Sequence, residues 1–365
     1  MSSLTGFAEL AARSNFSFLE GASHPEEMVS QAHELGLAAI AIADRDGLYG
    51  SARAHAESLR LGARGIVAAE LTLEGQVSEP EGSTKDDGDT DPPGPKSGSP
   101  KKRIVSPERV LLLVESATGY ENLCHLLTLA HAEHEKGTAA IRFERIAERS
   151  AGLTLLIPTD AQLSACAEEL EVGAADPLFE LARAFGDKVA IAVHKHLDGA
   201  DVSRVRCADA VARRYGIGVV ATARPLYHKA SRKPLSDVLH CVRHKTTLDL
   251  AGRSLSPNAE ARLRSETEMR RLFRERPEWV SATLPIAERC RFSLGELRYH
   301  FPSEELCLPG ETADGALRRL TEEGARVRYP NGVSASVRAQ IEKELDLIAK
   351  LAVAPYFLRD RKSVV

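Results

Sequence analysis

Short apolar runs alternate with longer stretches of helical period over the first 250 residues. Runs at 38–43, 66–73, 110–114, 153–157, 189–193 and 217–221 have strand length and few polar residues. Strands buried on both faces read this way, whereas half-exposed strands alternate. The stretches between them predict helices. One opens at Pro25 and carries Met28, Ala32 and Leu35 before stopping at Gly36; others cover 52–61, 118–133, 161–170, 201–215 and 234–244. Ser23-x-x-Glu26 and Thr118-x-x-Glu121 have the spacing of capping boxes. Repeated strand-then-helix units predict an α/β fold of parallel strands with helices outside, about seven units in a barrel-like sheet.

Two breaks divide this pattern. Residues 76–103 hold Gly, Pro, Ser, Asp, Glu and Lys with almost no apolar residue. Such a segment cannot offset its ordering entropy, so a disordered acidic insert is expected in the loop between two strands. Beyond about 250 only helices are predicted, at 258–264, 266–273, 277–290, 312–326 and 337–351. The expected division is a first domain over 1–250 and a second, incomplete one over 255–365.

Charge adds a bias along the chain. The net charge is −4, but residues 1–100 hold 7 Lys/Arg against 16 Asp/Glu, and residues 201–300 hold 20 against 11. A basic stretch of this kind faces phosphates or solvates helix surfaces. The six cysteines are scattered without a C-x-x-C pair, which points to thiols in a reducing cytoplasm. No apolar run reaches the length of a membrane span, and no export signal opens the chain.

Eight separated motifs resemble one family in the right order. Among them are 15–27, Ile40-Ala41-Ile42-Ala43-Asp44-Arg45, Gly119-Tyr120-Glu121-Asn122-Leu123, Leu226-Tyr227-His228, Pro257-Asn258-Ala259-Glu260, 290–299 and Leu320-Thr321-Glu322-Glu323-Gly324-Ala325. The resemblance is to the N-terminal part of the error-prone DNA polymerases of the bacterial C family. It spans the chain apart from the 76–103 insert and the last seven residues. It implies a distorted (β/α)7 polymerase-and-histidinol-phosphatase (PHP) barrel over 1–250, then the start of the polymerase palm over 255–365.

Active PHP domains gather His, Asp, Glu and Cys ligands at strand ends around metal ions. Carried over by resemblance, the His-x-His pair falls on Ala11 and Arg13, and the Asp-His pair on Asp44 and Arg45. A later glutamate falls on Glu70, and the Asp-x-His on Arg224 and Leu226, with His228 nearby. Asp44 and Glu70 alone survive as ligands, too few for a divalent cluster. No metal is therefore expected in this chain. Arg13, Arg45 and Arg224 are expected to neutralise Asp44 and Glu70 through bidentate hydrogen bonds, filling the former metal pocket.

Other His and Asp groupings carry weaker signals: Asp44-x-Asp46 reads as a turn, His194-x-His196 lacks a third ligand, and His131-x-x-His134 and His240/His244 read as helix surface. Arg262, Arg264, Arg270 and Arg271 are the candidate DNA-facing residues.

The resemblance implies error-prone, DNA-directed DNA polymerase activity in translesion repair synthesis for a longer protein. That activity would use Mg²⁺ at palm carboxylates that lie downstream in the family and are absent from this sequence. DNA and deoxynucleotides, mutagenesis accessory proteins and the sliding clamp are the implied partners, with no membrane. This chain alone is expected not to polymerise. The alternatives are a metal-dependent PHP phosphoesterase and a non-catalytic interaction module.

Overall fold

The computed structural model describes residues 4–74, 109–135, 137–159, 177–297 and 306–359. The expected insert at 76–103, the helix expected at 161–170 and Cys166 lie outside the described residues.

Seven strands form one sheet in chain order: β1 (Ala8–Ala12), β2 (Ala39–Arg45), β3 (Gly65–Thr72), β4 (Arg109–Val114), β5 (Leu153–Pro158), β6 (Val189–Val193) and β7 (Gly218–Ala221). The sheet curls into a half-barrel. Its strands are buried almost throughout, in keeping with their unbroken apolar text. One face is paved with Ala8, Ala41, Ala43, Ala68, Ala190 and Ala192, small side chains on which a tightly curved sheet can close. The other face lays Ile40 and Ile42 against Met28, Val29 and Ala32 of α1 (Pro25–Glu34).

The uniformly parallel sheet expected from the alternation needs one correction. β4 runs antiparallel to both β3 and β5, while the remaining pairs are parallel. Its first residue, Arg109, pairs with Thr72 near the end of β3. The reversal therefore brings the start of β4 to the edge where the parallel strands end.

Among the described residues no ladder joins β7 to β1. The Arg13 N–H donates to Pro225 O at 3.0 Å across that gap. Glu9 of β1, fully buried, accepts from the Ala223 N–H at 2.8 Å and from the Thr222 hydroxyl. A side chain thus does at this seam what a strand pair does elsewhere.

The outer helices are α2 (Ser51–Leu61), α3 (Ala117–Ala132), α4 (Phe143–Glu148), α5 (Pro177–Phe185), α6 (Asp201–Tyr215), α7 (Lys233–Arg243) and α8 (Leu248–Ala251). Two expected caps sit elsewhere. Ser116, not Thr118, accepts from the Gly119 N–H at the start of α3. At α1 the Glu27 carboxylate accepts from the His24 N–H, one residue later than expected, because the Ser23 hydroxyl is taken by His228.

Two expected helices also differ. Residues 258–264 are not helical: Asn258 Oδ1 accepts from the Glu260 N–H, a local bond that competes with helix formation, and Arg262 bridges to Tyr227. The helix expected over 277–290 is split into α10 (Pro277–Ser281) and α11 (Thr283–Arg289), after α9 (Glu266–Leu272). Pro285 lies inside this stretch and has no N–H to give the Ser281 carbonyl four residues earlier.

The chain divides into two compact units, 1–296 and 297–365. The expected division near 250 falls inside the first, because α11 packs its Ile286 and Ala287 into the alanine-lined face of the sheet. The second unit contains α12 (Ala313–Arg328) and α13 (Ala335–Lys350), where helices are expected at 312–326 and 337–351, and a further short helix, α14 (Ala354–Arg359), that the pattern does not predict. Thr312 caps α12 and Ser334 caps α13, and Leu317, Leu345, Ala354 and Leu358 form their shared core.

Candidate functional site

Strand ends converge at one edge of the half-barrel, and so do most of the predicted site residues. Arg13 follows β1, Asp44 and Arg45 end β2, and Glu70 lies near the end of β3. Arg224 follows β7 in a left-handed backbone conformation with φ 42°.

Glu70 is fully buried and is the focus of three guanidinium groups. Arg224 Nη2 donates to it at 2.8 Å, Arg13 pairs with its other oxygen, and Arg109 stands at 4.0 Å. Burial raises its carboxyl pKa, but Arg13, Arg224 and Arg109 outweigh burial and hold it below the ordinary range. Arg13 remains charged: its own burial is outweighed by Glu70 and Glu20, so its pKa is raised.

Glu20, which sequence reasoning did not single out, is the second focus. It accepts from Arg13 at 3.0 Å and Arg45 at 2.7 Å, pairs with Arg243 of α7, and lies 3.7 Å from Arg109. Here too burial is outweighed, by Arg13, Arg109 and Arg45, and the pKa is lowered. The segment carrying Glu20 is pressed against its neighbour: a Cβ on Gly21 would stand 1.9 Å from the Ser14 carbonyl oxygen.

Asp44 departs from the expected pairing with arginine. Its Oδ1 accepts from the Ser14 N–H and the Ser17 hydroxyl, both at 2.8 Å, and its Oδ2 accepts from the Ser14 hydroxyl at 2.7 Å. Two hydroxyls and a backbone N–H of the loop after β1 thus occupy both oxygens of the buried carboxylate. Burial still raises its pKa above the usual value, against these bonds.

Of the remaining candidates, Asp46 meets the network, with its Oδ2 3.7 Å from Arg45 Nε. Ala11 is packed in the apolar core. The backbone of Leu226 bonds Ala22 and Ala261. His228 Nδ1 meets the Ser23 hydroxyl at 2.7 Å. Asp46, at φ 50°, accepts from the Thr72 N–H and hydroxyl and forms the expected turn. The His194 and His196 rings meet at a tilt with centroids 4.6 Å apart, and burial first and then Arg224 hold the His194 imidazole well below the ordinary pKa, neutral. His131 bonds the Asp46 carbonyl, and the His240 and His244 rings meet at a tilt with centroids 4.3 Å apart.

The four candidate DNA-facing arginines divide. Arg262 bonds Glu268, Arg270 bonds Glu266, and Arg264 is 5% exposed and bonded to Glu260. Arg271 is exposed.

A divalent cation does not fit these residues. The oxygens of Glu70 face guanidinium groups, those of Asp44 are engaged by serines, and Ala11 has no donor atom. Among the described residues no three His, Cys, Asp or Glu side chains stand close enough to hold a metal ion. The arrangement neutralises charge and fixes strand ends.

A half-barrel with a site at its strand ends defines the class, and the match of residues 9–196 to the PHP domain model places the chain in that family. The chain is also homologous to error-prone DNA polymerases. It is 38% identical to that of Anaeromyxobacter dehalogenans over 94% of this chain and 28% of that protein, and 35% identical to that of Ruegeria pomeroyi over 96% of this chain and 32% of that protein. The chain thus spans about a third or less of the length of these relatives. Among solved structures, an amidohydrolase from Chromobacterium violaceum aligns over 59% of this chain and 84% of its own, at 15% identity and a TM-score of 0.34.

Proposed function

We propose that this chain serves as the N-terminal region of an error-prone DNA polymerase, with the PHP half-barrel acting as a metal-free structural platform. The observation that carries this reading is the joint pairing of Arg13 and Arg224 with the buried Glu70. Guanidinium groups stand where the family's metal ligands fall, and they hold the strand ends together without a cation. Homology over 94% of the chain supports the polymerase assignment. Template-directed addition of deoxynucleotides across damaged DNA, with Mg²⁺ at palm carboxylates, belongs in this reading to the longer protein. A cytoplasmic location follows from that role, as does contact with the sliding clamp and mutagenesis accessory proteins.

Two measurements test the proposal. After incubation with zinc or manganese and dialysis, elemental analysis should find no stoichiometric metal, and a generic phosphomonoesterase assay should show no turnover. Tightly held metal with matching hydrolysis would establish the phosphoesterase alternative instead. For the polymerase role, this chain should replace the matching region of the Anaeromyxobacter dehalogenans enzyme in a chimera that still extends primers on damaged templates. A folded but inactive chimera would count against it.

A further inference from the structure

The loop after β6 lines two clefts with alternate side chains. His196 and Asp198 line one, together with Arg13 and Glu20 of the arginine network. Lys195 and Leu197 line the other, about 490 Å³ in volume, against the C-terminal end of α9. Lys195 ties the walls of this second cleft together: its ammonium donates to the Leu272 carbonyl at 3.1 Å and lies over the Phe273 ring, 5.0 Å from the centroid. Leu197 is 57% exposed and takes φ 52°, in the left-handed region that leucine rarely adopts. Its backbone is held there on both sides. The N–H donates to Asp201 Oδ2 at 3.0 Å, and the carbonyl accepts from the Asn258 side-chain amide at 3.0 Å. The fold thus fixes an apolar side chain in water at the rim of a charged cleft.

Part of the lining charge is matched within the walls. Arg262 pairs with Glu268 at 2.6 Å, and Arg264 pairs with Glu260. The second Glu268 oxygen accepts from the Ser265 N–H at 2.9 Å. Beyond the cleft, Glu266 is taken by Arg270 at 2.7 Å and Asp209 by Arg276 at 3.1 Å. What remains in the lining is Arg271, Arg274 and the Lys195 ammonium against Glu275. Arg271 and Arg274 are exposed, and among the described residues neither makes a hydrogen bond or an ion pair. Two unmatched guanidinium groups beside a fixed, exposed leucine suit a ligand with spaced carboxylates and an apolar side chain, as an acidic peptide has. A nucleic-acid strand fits less well. No aromatic ring lines the cleft for a base to stack on, and Glu260, Glu268 and Glu275 would face its phosphates.

We propose that this second cleft docks a short acidic segment of a partner protein, with carboxylates bonded by Arg271 and Arg274 and an apolar side chain seated on Leu197. The guanidinium groups supply charge-assisted hydrogen bonds, and the leucine, already fixed, loses little freedom on contact. The cleft requires only residues of this chain, so it stands or falls independently of the polymerase assignment.

The experiment selects phage-displayed random peptides on the whole chain and measures the enriched peptides, labelled, by fluorescence anisotropy. Sequences that combine Asp or Glu with an apolar residue should be enriched, and their binding should weaken with salt. An Arg271→Ala/Arg274→Ala double variant should bind them about tenfold more weakly or worse, the scale for losing charge-assisted hydrogen bonds. Its thermal midpoint should not change, because both side chains are exposed and unpaired. Leu197→Gly should weaken binding about fivefold by removing the apolar contact. It should not lower the thermal midpoint, because glycine favours this backbone conformation. Selection without acidic enrichment overturns the proposal, as does a double variant that binds as wild type. A glutamate homopeptide that competes as well as the selected peptides also overturns it, since charge alone would then suffice. Oligo-dT displacing the peptides more tightly than they bind would assign the cleft to nucleic acid instead.

Discussion

Arg224 reaches Glu70 across 154 positions of sequence, with Nη2 2.8 Å from Oε1. It does so from a residue with left-handed φ, whose N–H is held by the Thr222 hydroxyl at 2.8 Å. Thr222 is in turn bonded to Glu9 at the β1–β7 seam. The seam and the ion-pair network are therefore one connected structure.

Removing one partner of the buried pair leaves the other charge poorly matched. Arg224→Met is expected to cost about 3 kcal/mol in urea unfolding, the scale for breaking a buried ion pair. Glu70→Gln should cost a similar amount. The double variant should cost less than the sum, because it removes both charges together. Additive losses would show that the pair is not coupled.

Acid should weaken the network with a defined sign. Glu20 and Glu70 are held below the usual 4.5 by their arginines against the effect of burial. Such carboxylates stabilise the fold above their unfolded pKa, and the contribution is lost as pH falls through the lower folded value. Glu9 has the opposite sign. Burial outweighs its bonds to Thr222 and Ala223 and raises its pKa, so its proton-linked contribution is full at low pH and lost as pH rises through the folded value. Unfolding curves from about pH 3 to about pH 7 should show Glu20→Gln less stable than wild type at neutrality, with the difference closing below about pH 4.

The seam should open when its carboxylate is removed. Glu9→Ala deprives the buried Thr222 hydroxyl and the Ala223 N–H of their acceptor, and a loss of about 2–3 kcal/mol is expected. Hydrogen exchange should localise the effect, with faster exchange at the Ala223 and Arg13 amides and unchanged protection in β3 and β4.

Neighbouring arginines in the basic stretch should behave oppositely. Arg264 is buried and bonded to both the carbonyl and the carboxylate of Glu260. Arg264→Ala is therefore expected to lower the thermal midpoint by several degrees, roughly 1–3 kcal/mol in stability. Arg271→Ala, on the exposed side of α9, should stay within about 0.5 kcal/mol of wild type. If Arg271 contacts DNA, its loss should reduce DNA affinity without affecting stability.

Much of the architecture was legible in the chain. Unbroken apolar runs such as 110–114 and 189–193 marked strands covered on both faces, because a strand without polar positions has no face to offer water. The two long helices after 312 were legible from their spacing. The resemblance brought Arg13, Arg45, Glu70 and Arg224 into view. Glu20 was missed although it stands in the same motif-bearing loop; a lone glutamate in a loop carries no local sign of four cationic neighbours. The turn at Asn258 and the interruption at Pro285 carried local signals that could have been weighed against the helical pattern.

Local chemistry thus determined the elements: where the chain extends, where it coils and which residues are too apolar to remain in water. The resemblance to the family, which depends only on order along the chain, placed arginines where ligands would otherwise fall. The tertiary structure decided the partners. The reversal of β4 turns its first residue toward the strand-end edge and delivers Arg109 there. The approach of α7 adds Arg243, and the crossing from β7 brings Arg224. Charge pairing acts over a few ångströms in space, whereas sequence records only order along the chain, so the pairing of these groups was settled only when the sheet curled.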